Sequence, residues 1–219
     1  MASGDSHTGV WREYEISFRE DAHQLLAWGY QAARHLITSS QEETDITGFI
    51  AESIQAKLNS ADIDERFNRY GLKEDNPVAS ERRTGKRRLR LDITIESSQR
   101  PRHLLRPQYI FEAKRLCRPN QMLGNYLGDE GLLRFLQGRY AAECPEVAMV
   151  GYVQTETISH WATALGTRFD KDPANRFCLI EKYSQVSVIP HLTDEWVSGH
   201  SRESQLPVTI FHIFLDCSA

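Results

Sequence analysis

The sequence is poor in cysteine and has none of the cysteine patterns that bind zinc or build a disulfide framework. Its four cysteines, Cys117, Cys144, Cys178 and Cys217, stand far apart, with no CxxC motif and none beside a histidine at metal-ligand spacing. We therefore expect reduced, partly buried thiols.

Long hydrophobic runs are also missing. The longest strongly apolar stretch, VAMVGYV at 147–153, is far below the roughly 20 residues needed to span a bilayer, and the polar start MASGDSHTG has no signal-peptide core. These two absences predict a cytoplasmic protein with no membrane partner.

Local motifs of several enzyme classes are absent as well. The sequence contains no glycine-rich phosphate loop of the GxxxxGKS or GxxxxGKT type, and no local Ser/His/Asp or Cys/His signature of a nucleophilic hydrolase. A catalytic function would have to come from other side chains.

The composition is that of an ordinary globular protein. Of 219 residues, 40% are hydrophobic and 26% are charged, and no repeat, low-complexity segment or linker divides the chain. We expect a loose N-terminal tail over residues 1–12 and a single domain over 13–219.

Charge is distributed unevenly along the chain. Residues 82–118 contain twelve Lys and Arg against three acids, a net charge of +9, whereas the whole chain carries −4 and the remainder therefore −13. A basic segment on an acidic body suits a polyanionic partner, although a solvated face or a disordered arm has the same composition. The candidate nucleic-acid-binding residues are Arg82, Arg83, Lys86, Arg87, Arg88, Arg90 and Arg115.

Periodicity predicts an α/β fold in which a central mixed sheet is flanked by helices. Helical spacing predicts four helices. One runs over 13–37, a second has Glu42, Glu43 and Asp45 in its first turn, and the others run over 129–143 and 158–169. Strands are predicted at 88–96, 108–116, 147–154, 177–190 and 207–215, with a hairpin joining the first two and a turn-rich connection over 60–87.

The predicted strand YIFEAKRL, 109–116, raises a chemical question, because it places two opposite charges after three apolar residues. Side chains two apart in a strand share a face, so Glu112 and Lys114 point the same way, and pairing with the preceding strand brings Asp92 beside Glu112. With the carbonyl of Ala113 these carboxylates would form an oxygen-rich site of the kind that Mg²⁺ or Mn²⁺ prefers. A cross-strand ion pair on an exposed sheet face and a solvated Asp92 are the alternatives.

RLDITIES followed by YIFEAKRL resembles the D-x(n)-E-x-K signature of the PD-(D/E)XK nuclease superfamily over roughly residues 40–154. The resemblance implies a restriction-endonuclease-like αβββαβ core, here with extra C-terminal strands, and Asp92, Glu112 and Lys114 as catalytic residues. It further implies an acid on the preceding helix, for which Glu43 is favoured over Glu42 and Asp45. A polar residue from the helix after the motif is also implied, with Gln137 favoured over Arg134 and Arg139. The residue before Asp92 is leucine rather than the proline of the signature.

Three functional hypotheses follow. The first is an Mg²⁺- or Mn²⁺-dependent nuclease, with DNA favoured over RNA as substrate, in which Asp92, Glu112, Ala113 and Glu43 would hold metal. The second is a catalytically inactive nucleic-acid-binding or scaffold subunit of the same fold. The third is an effector or partner subunit of a multi-subunit antiviral defence system in bacteria. A homodimer formed through the apolar C-terminal strand PVTIFHIFL, 207–215, would be compatible with each of them.

Overall fold

Helices and strands cover most of the chain in the computed structural model, which describes residues 5–77, 90–99, 106–117, 119–139, 141–202 and 205–218. The α-helices within these ranges are α1 (Asp5–Ala33), α2 (Glu43–Leu58), α3 (Pro119–Leu127), α4 (Leu132–Leu136) and α5 (Ile158–Asp170). The strands are β1 (Tyr70–Pro77), β2 (Arg90–Ser97), β3 (Gln108–Leu116), β4 (Glu146–Val153), β5 (Leu179–Val186), β6 (Glu195–Arg202) and β7 (Gln205–Asp216).

All seven strands belong to one mixed sheet in the order β1-β2-β3-β4-β7-β6-β5. The first three form an antiparallel meander, β4 runs parallel to both β3 and β7, and β7, β6 and β5 continue antiparallel. The domain is therefore a single α/β unit with a mixed sheet flanked by helices, as the sequence predicts.

Helices cover both faces of the sheet, so that each strand of its centre is buried on two sides. Helices α1 and α2 pack on one face, where Leu25, Ile50 and Phe111 belong to one hydrophobic core. Helices α3, α4 and α5 pack on the other, where Phe135 and Trp161 share a second core with strand residues such as Met149 and Ile210. Alternate residues of each strand point to opposite faces, which is why Phe111 and Met149 fall into different layers. Among the described helices, none has the combination of length and apolar character that a bilayer crossing requires.

Several predicted elements are confirmed. Strand β3 has the predicted bounds, helix α5 overlaps its prediction almost completely, and β2 and β3 pair as an antiparallel hairpin.

Several secondary-structure predictions need correction. Helix α1 begins at Asp5, inside the segment predicted as a loose tail. The predicted connection over 60–87 contains β1, an edge strand. Its sequence YGLKEDNP is mostly polar and does not alternate between apolar and polar residues. Helix α3 begins at Pro119, in a stretch for which no helix is predicted, although proline is favoured in the first turn of a helix. Strand β6 lacks the apolar alternation that predicts a strand, because it buries polar residues, among them Ser198 and His200.

The predicted helix over 129–143 is also shorter in the structure. Helix α4 ends after Leu136, where Gly138 adopts a positive φ of 64°. The amide of Arg139 donates to the carbonyl of Arg134 and that of Gly138 to Phe135, the two bonds of a Schellman motif.

The apolar C-terminal strand is not an edge. Strand β7 is hydrogen-bonded to β4 on one side and to β6 on the other, so the expectation that it offers a free edge for dimerisation is wrong.

Candidate functional site

The candidate site forms where β2 and β3 stop pairing through their main chains. The register pairs Glu96 with Gln108 through to Ile93 with Phe111. One residue further along, the Oδ2 atom of Asp92 accepts a hydrogen bond of 2.7 Å from the amide of Ala113. A carboxylate therefore replaces the main-chain partner of this amide, and Asp92 is held against the segment that contains Glu112 and Lys114.

Lys114 is at the centre of the acidic side chains. Its Nζ atom donates to Oε1 of Glu43 and to Oε1 of Glu112, both at 3.0 Å, and to the carbonyl of Ala113 at 2.5 Å. The side chain is 11% exposed and that of Glu112 only 2%. The ammonium thus has three acceptors and is largely shielded from water.

Glu43 is the acid of the α2 N-terminus that reaches the site. It is the first residue of α2, and its Oε2 atom accepts a hydrogen bond of 3.1 Å from the amide of Arg115 while Oε1 binds Lys114. Glu42 is instead exposed and pairs with the Arg115 guanidinium at 2.7 Å, and Asp45 is exposed. The helix start and the end of β3 are therefore joined through Glu43.

Burial and like charge raise the pKa values of both strand carboxylates. Burial, with a contribution from Glu43, raises the pKa of Asp92 to about 6, against the opposing effects of Lys114 and the Ala113 amide. Burial first and the neighbouring Asp92 second raise the pKa of Glu112 to about 8. Burial by itself lowers the pKa of Lys114, but the charges of Glu112, Asp92 and Glu43 outweigh it and raise that pKa above its ordinary value. Lys114 is accordingly an ammonium in this arrangement.

Helix α4 contributes Arg134 rather than Gln137. The Nη1 atom of Arg134 lies 3.7 Å from Oε1 of Glu112, and its Nε atom donates to the carbonyl of Asp129 at 2.9 Å. Gln137 is exposed and donates to the Asp129 carboxylate at 3.3 Å, and Arg139 is exposed. The structure therefore does not bring Gln137 to the carboxylates, because the helix ends there and turns its side chain toward Asp129.

Asp92 and Glu112 are the two carboxylates of this site that could hold a divalent cation. The Oε2 atom of Glu112 is buried and has no hydrogen-bond partner within the described part of the chain. Hard oxygen ligands and two mutually repelling carboxylates are what Mg²⁺ or Mn²⁺ would stabilise. Within the same residues, no group of three or more acidic, histidine or cysteine side chains is arranged to hold a metal, and Glu43 is already bound by Lys114 and the Arg115 amide. The predicted third ligand, the carbonyl of Ala113, accepts from Lys114.

Most of the predicted nucleic-acid-binding residues fall outside the described ranges: Arg82, Arg83, Lys86, Arg87 and Arg88. Arg90 opens β2 opposite Pro77, two residues before Asp92. Arg115 adjoins the site, but its Nη1 atom donates to the Gln41 carbonyl at 2.9 Å and pairs with Glu42.

Comparison of this chain with models of protein families, with curated proteins and with solved structures finds no match in any of the three.

Proposed function

We propose that the protein is a metal-dependent nuclease that hydrolyses phosphodiester bonds, with DNA as the favoured substrate. The observation that carries the proposal is the convergence of Asp92, Glu112 and Lys114 from two neighbouring strands, with Glu43 arriving from a helix that starts 49 residues before Asp92. Perturbed carboxylates and a buried ammonium in contact are a frequent feature of catalytic sites.

The order of elements gives separate support. From α2 to β4 the chain runs helix, three antiparallel strands, helices, and a strand parallel to the third. This is the αβββαβ order that the resemblance of RLDITIES and YIFEAKRL implies, with Asp92 and Glu112 in the strands where that signature has its acids.

In the proposed mechanism, Asp92 and Glu112 would hold a divalent ion, which when bound lowers the pKa of a water molecule and polarises the phosphate. Lys114, as an ammonium, donates hydrogen bonds to the anionic phosphate oxygens as charge develops on them. Glu43 orients Lys114 through its Oε1 atom. Arg134 places a second cation beside Glu112, where it can contact the same phosphate.

The basic segment supplies the rest of the substrate contact in this proposal. Residues 78–89 connect Pro77 to Arg90, and these two paired residues lie at the end of the sheet where Asp92 lies. Lysine and arginine there would bind the phosphate backbone without reading its sequence.

A second candidate function is a nucleic-acid-binding subunit without catalysis. It is favoured by the engagement of Glu43 with Lys114 and with the Arg115 amide, which leaves two carboxylates for a metal. Calorimetric titration with Mn²⁺ separates the candidates, because the non-catalytic subunit would bind DNA without binding the ion.

The test of the nuclease proposal is cleavage of plasmid DNA with Mg²⁺ or Mn²⁺ by the wild type and by Lys114→Ala and Asp92→Asn. Both substitutions should lower the rate by at least about 100-fold, because each removes charge that acts on the transition state. Gln137→Ala is the matched control and should cleave like the wild type. Cleavage of equal rate by all four proteins, or cleavage that persists in excess EDTA, would refute the mechanism.

A further inference from the structure

A cavity lies at the opposite end of the strand that carries the candidate site. Its volume is about 630 Å³, and its walls come from α1, β1, β2, the start of β3 and the residues before β4. Tyr109 of β3 lines it, and Lys114 is five residues further along the strand, about 16 Å away. A cavity of this size is in the range of small-molecule sites.

Aromatic rings form the apolar part of the wall. Tyr14 and Phe18 of α1 have ring centroids 6.1 Å apart, and Phe18 meets Tyr109 edge to face at 6.3 Å. The hydroxyl of Tyr109 is hydrogen-bonded at 2.7 Å to Nε2 of the buried His23. Tyr109 therefore presents its ring, rather than its hydroxyl, as wall.

Among the described residues that line the cavity, carboxylates outnumber bases. Four of these residues are glutamates, Glu15, Glu96, Glu143 and Glu146, and two are basic, Lys73 and Arg106. Glu96 is neutralised by Lys73 at 2.7 Å, and Glu146 is paired at 2.9 Å with Arg19. As far as the structure describes the chain, neither Glu15 nor Glu143 has an ion-pair partner.

Glu15 and Glu146 act on each other as like charges. Burial raises the pKa of Glu146, and the charge of Glu15 raises it further against the opposing effect of Arg19. A cation between these side chains would remove the repulsion, and the ring faces nearby would attract the same cation.

We propose that this cavity binds a small organic cation, an ammonium, amidinium or guanidinium group on an apolar or planar body. The aromatic rings contact the body of the ligand, and the carboxylates of Glu15, Glu143 and Glu146 pair with its positive charge. The excess of carboxylates among the described lining residues disfavours phosphate-bearing ligands, and the cavity lies about 16 Å along β3 from the proposed nuclease site. The inference stands whether or not the chain cleaves nucleic acid.

Titration of the full-length protein with three probes of one shape tests the proposal. Benzamidine carries the cation, benzamide is its neutral counterpart, and benzoate is the anion. Benzamidine should bind saturably by calorimetry or ligand-observed NMR, and the other two should bind at least about fivefold more weakly. Absence of saturable benzamidine binding at millimolar concentration, or equal binding of benzamide, overturns the proposal.

Variants then locate the binding. Glu15→Gln should weaken benzamidine up to about fivefold, the factor that one partly exposed ion pair supports, and Arg106→Gln should strengthen it because a like charge leaves the wall. Glu20→Gln changes an exposed glutamate of α1 outside the cavity and should have no effect. Lys114→Ala should leave binding unchanged, since it lies in the other site. Equal responses of Glu15→Gln and Glu20→Gln, or weakening by Arg106→Gln, would contradict the assignment.

Discussion

Lys114 determines the charge balance of the candidate site. Asp92 and Glu112 are buried beside each other, and burial together with their repulsion raises the pKa values of both, that of Glu112 to about 8 even beside Lys114. Lys114 opposes this rise through direct contact with Glu112. The charges of the same carboxylates raise the pKa of Lys114. Lys114 therefore acts as a hydrogen-bond donor, and not as a base, as long as these carboxylates are charged and bind no metal ion.

The two glutamates at the start of α2 permit a matched test of this arrangement. Glu43→Gln removes a charge that contacts Lys114, so the metal-dependent cleavage rate should fall about 10- to 100-fold, which is less than for loss of Lys114 itself. Glu42→Gln alters only the exposed pair with Arg115 and should leave the rate within about threefold, since exposed ion pairs contribute at most about 1 kcal/mol. Initial rates on plasmid DNA measure both effects. A larger loss in Glu42→Gln than in Glu43→Gln would show that the helix acid is misassigned.

At the residue scale, the sequence predicts contacts within a hairpin better than contacts made by side chains on helices. The period of two and the register of a hairpin suffice to bring Asp92 toward Glu112 and Lys114. The choice among Glu42, Glu43 and Asp45 depends on how α2 docks against β3. The sequence alone does not exclude Gln137 from the site, because the turn at Gly138 that ends α4 is not visible in the periodicity. This turn places Arg134, and not Gln137, beside Glu112.

Close packing of α1 against α2 depends on Gly29. A Cβ atom at this position would lie 2.5 Å from Cγ1 of Ile54 and 2.9 Å from the carbonyl oxygen of Ile50, a main-chain atom that cannot move alone. The packing of the two helices that cover one face of the sheet therefore depends on Gly29. Because Glu43 is on α2, its position depends on the same packing.

Alanine at two helical glycines should have opposite effects on stability. Gly29→Ala should lower the free energy of unfolding by about 1–2 kcal/mol, because overpacking exceeds the gain of roughly 1 kcal/mol in helix propensity. Gly124→Ala in α3 meets nothing within 4 Å, so it should raise the free energy by up to about 1 kcal/mol. Urea unfolding followed by circular dichroism measures both. Stabilisation by Gly29→Ala would contradict the packing of α1 on α2.

Strands β6 and β7 share a buried polar chain. The carbonyl of Phe177 can only accept, so His200 donates from Nδ1 at 2.7 Å and accepts from Ser198 Oγ at Nε2, also at 2.7 Å. His212 Nε2 then donates to Ser198 Oγ at 2.8 Å, and its Nδ1 is hydrogen-bonded at 3.1 Å to the Tyr126 hydroxyl, which also donates to the Met149 carbonyl at 3.3 Å. The Nε2 atom of His200 can accept only while that imidazole is neutral, and burial lowers the pKa of His200 to about 4 and that of His212 well below its usual range.

Acid should therefore weaken the fold through these histidines. In the folded state each has a pKa below the unfolded value of about 6.5, so the unfolded chain binds more protons between pH 6.5 and 4 and stability falls as the pH falls through that window. The slope is at most about 1.4 kcal/mol per pH unit for each histidine. Urea unfolding at pH 7, 5.5 and 4.5 should show a shallower slope in His200→Gln than in the wild type. His160→Gln, which alters an exposed histidine of α5, should keep the wild-type slope.

At the element scale, buried polar groups also explain why β6 escaped prediction. EWVSGHSR has little apolar alternation because Glu195, Ser198 and His200 are all fully buried in hydrogen-bonded contacts. Strand β3, with apolar residues on both sides of its charged pair, was predicted to the residue. Sequence periodicity finds the strands whose burial is hydrophobic and misses those whose burial is hydrogen-bonded.

On the scale of the whole molecule, the order of strands in the sheet cannot be predicted from the sequence. Adjacent strands that follow one another along the chain, such as β1, β2 and β3, are the common case, and the predicted hairpin is one of them. Strand β7, the last in the sequence, returns to the centre between β4 and β6. Its apolar pattern is the same for a central strand and for an exposed edge that dimerises, and only its two hydrogen-bonded neighbours distinguish these cases.

The charge asymmetry of the whole molecule leads to a prediction about nucleic-acid binding. Residues 82–118 carry a net charge of +9 against −13 for the remainder, so the proposed substrate should be attracted to one region and repelled elsewhere. A quadruple variant in which glutamine replaces Arg82, Arg83, Lys86 and Arg87 should bind DNA more weakly. The slope of log K against log salt should become shallower by about 0.9 for each duplex phosphate that is no longer neutralised. Fluorescence anisotropy from 50 to 300 mM salt measures the slope.

A second quadruple variant decides whether position or charge alone matters. Arg168, Lys171, Arg176 and Lys182 are exposed on α5, β5 and the loop between them, at the other edge of the sheet from β1 and β2. Their replacement with glutamine changes the total charge by the same amount. If binding depends on the segment that leads into β2 and Asp92, this variant should retain nearly the wild-type salt slope, because charges farther apart than the Debye length of about 10 Å at 0.1 M salt are screened from each other. Equal weakening in both variants would mean that total charge governs binding, and the basic segment would then have no special part in presenting a phosphate to Lys114.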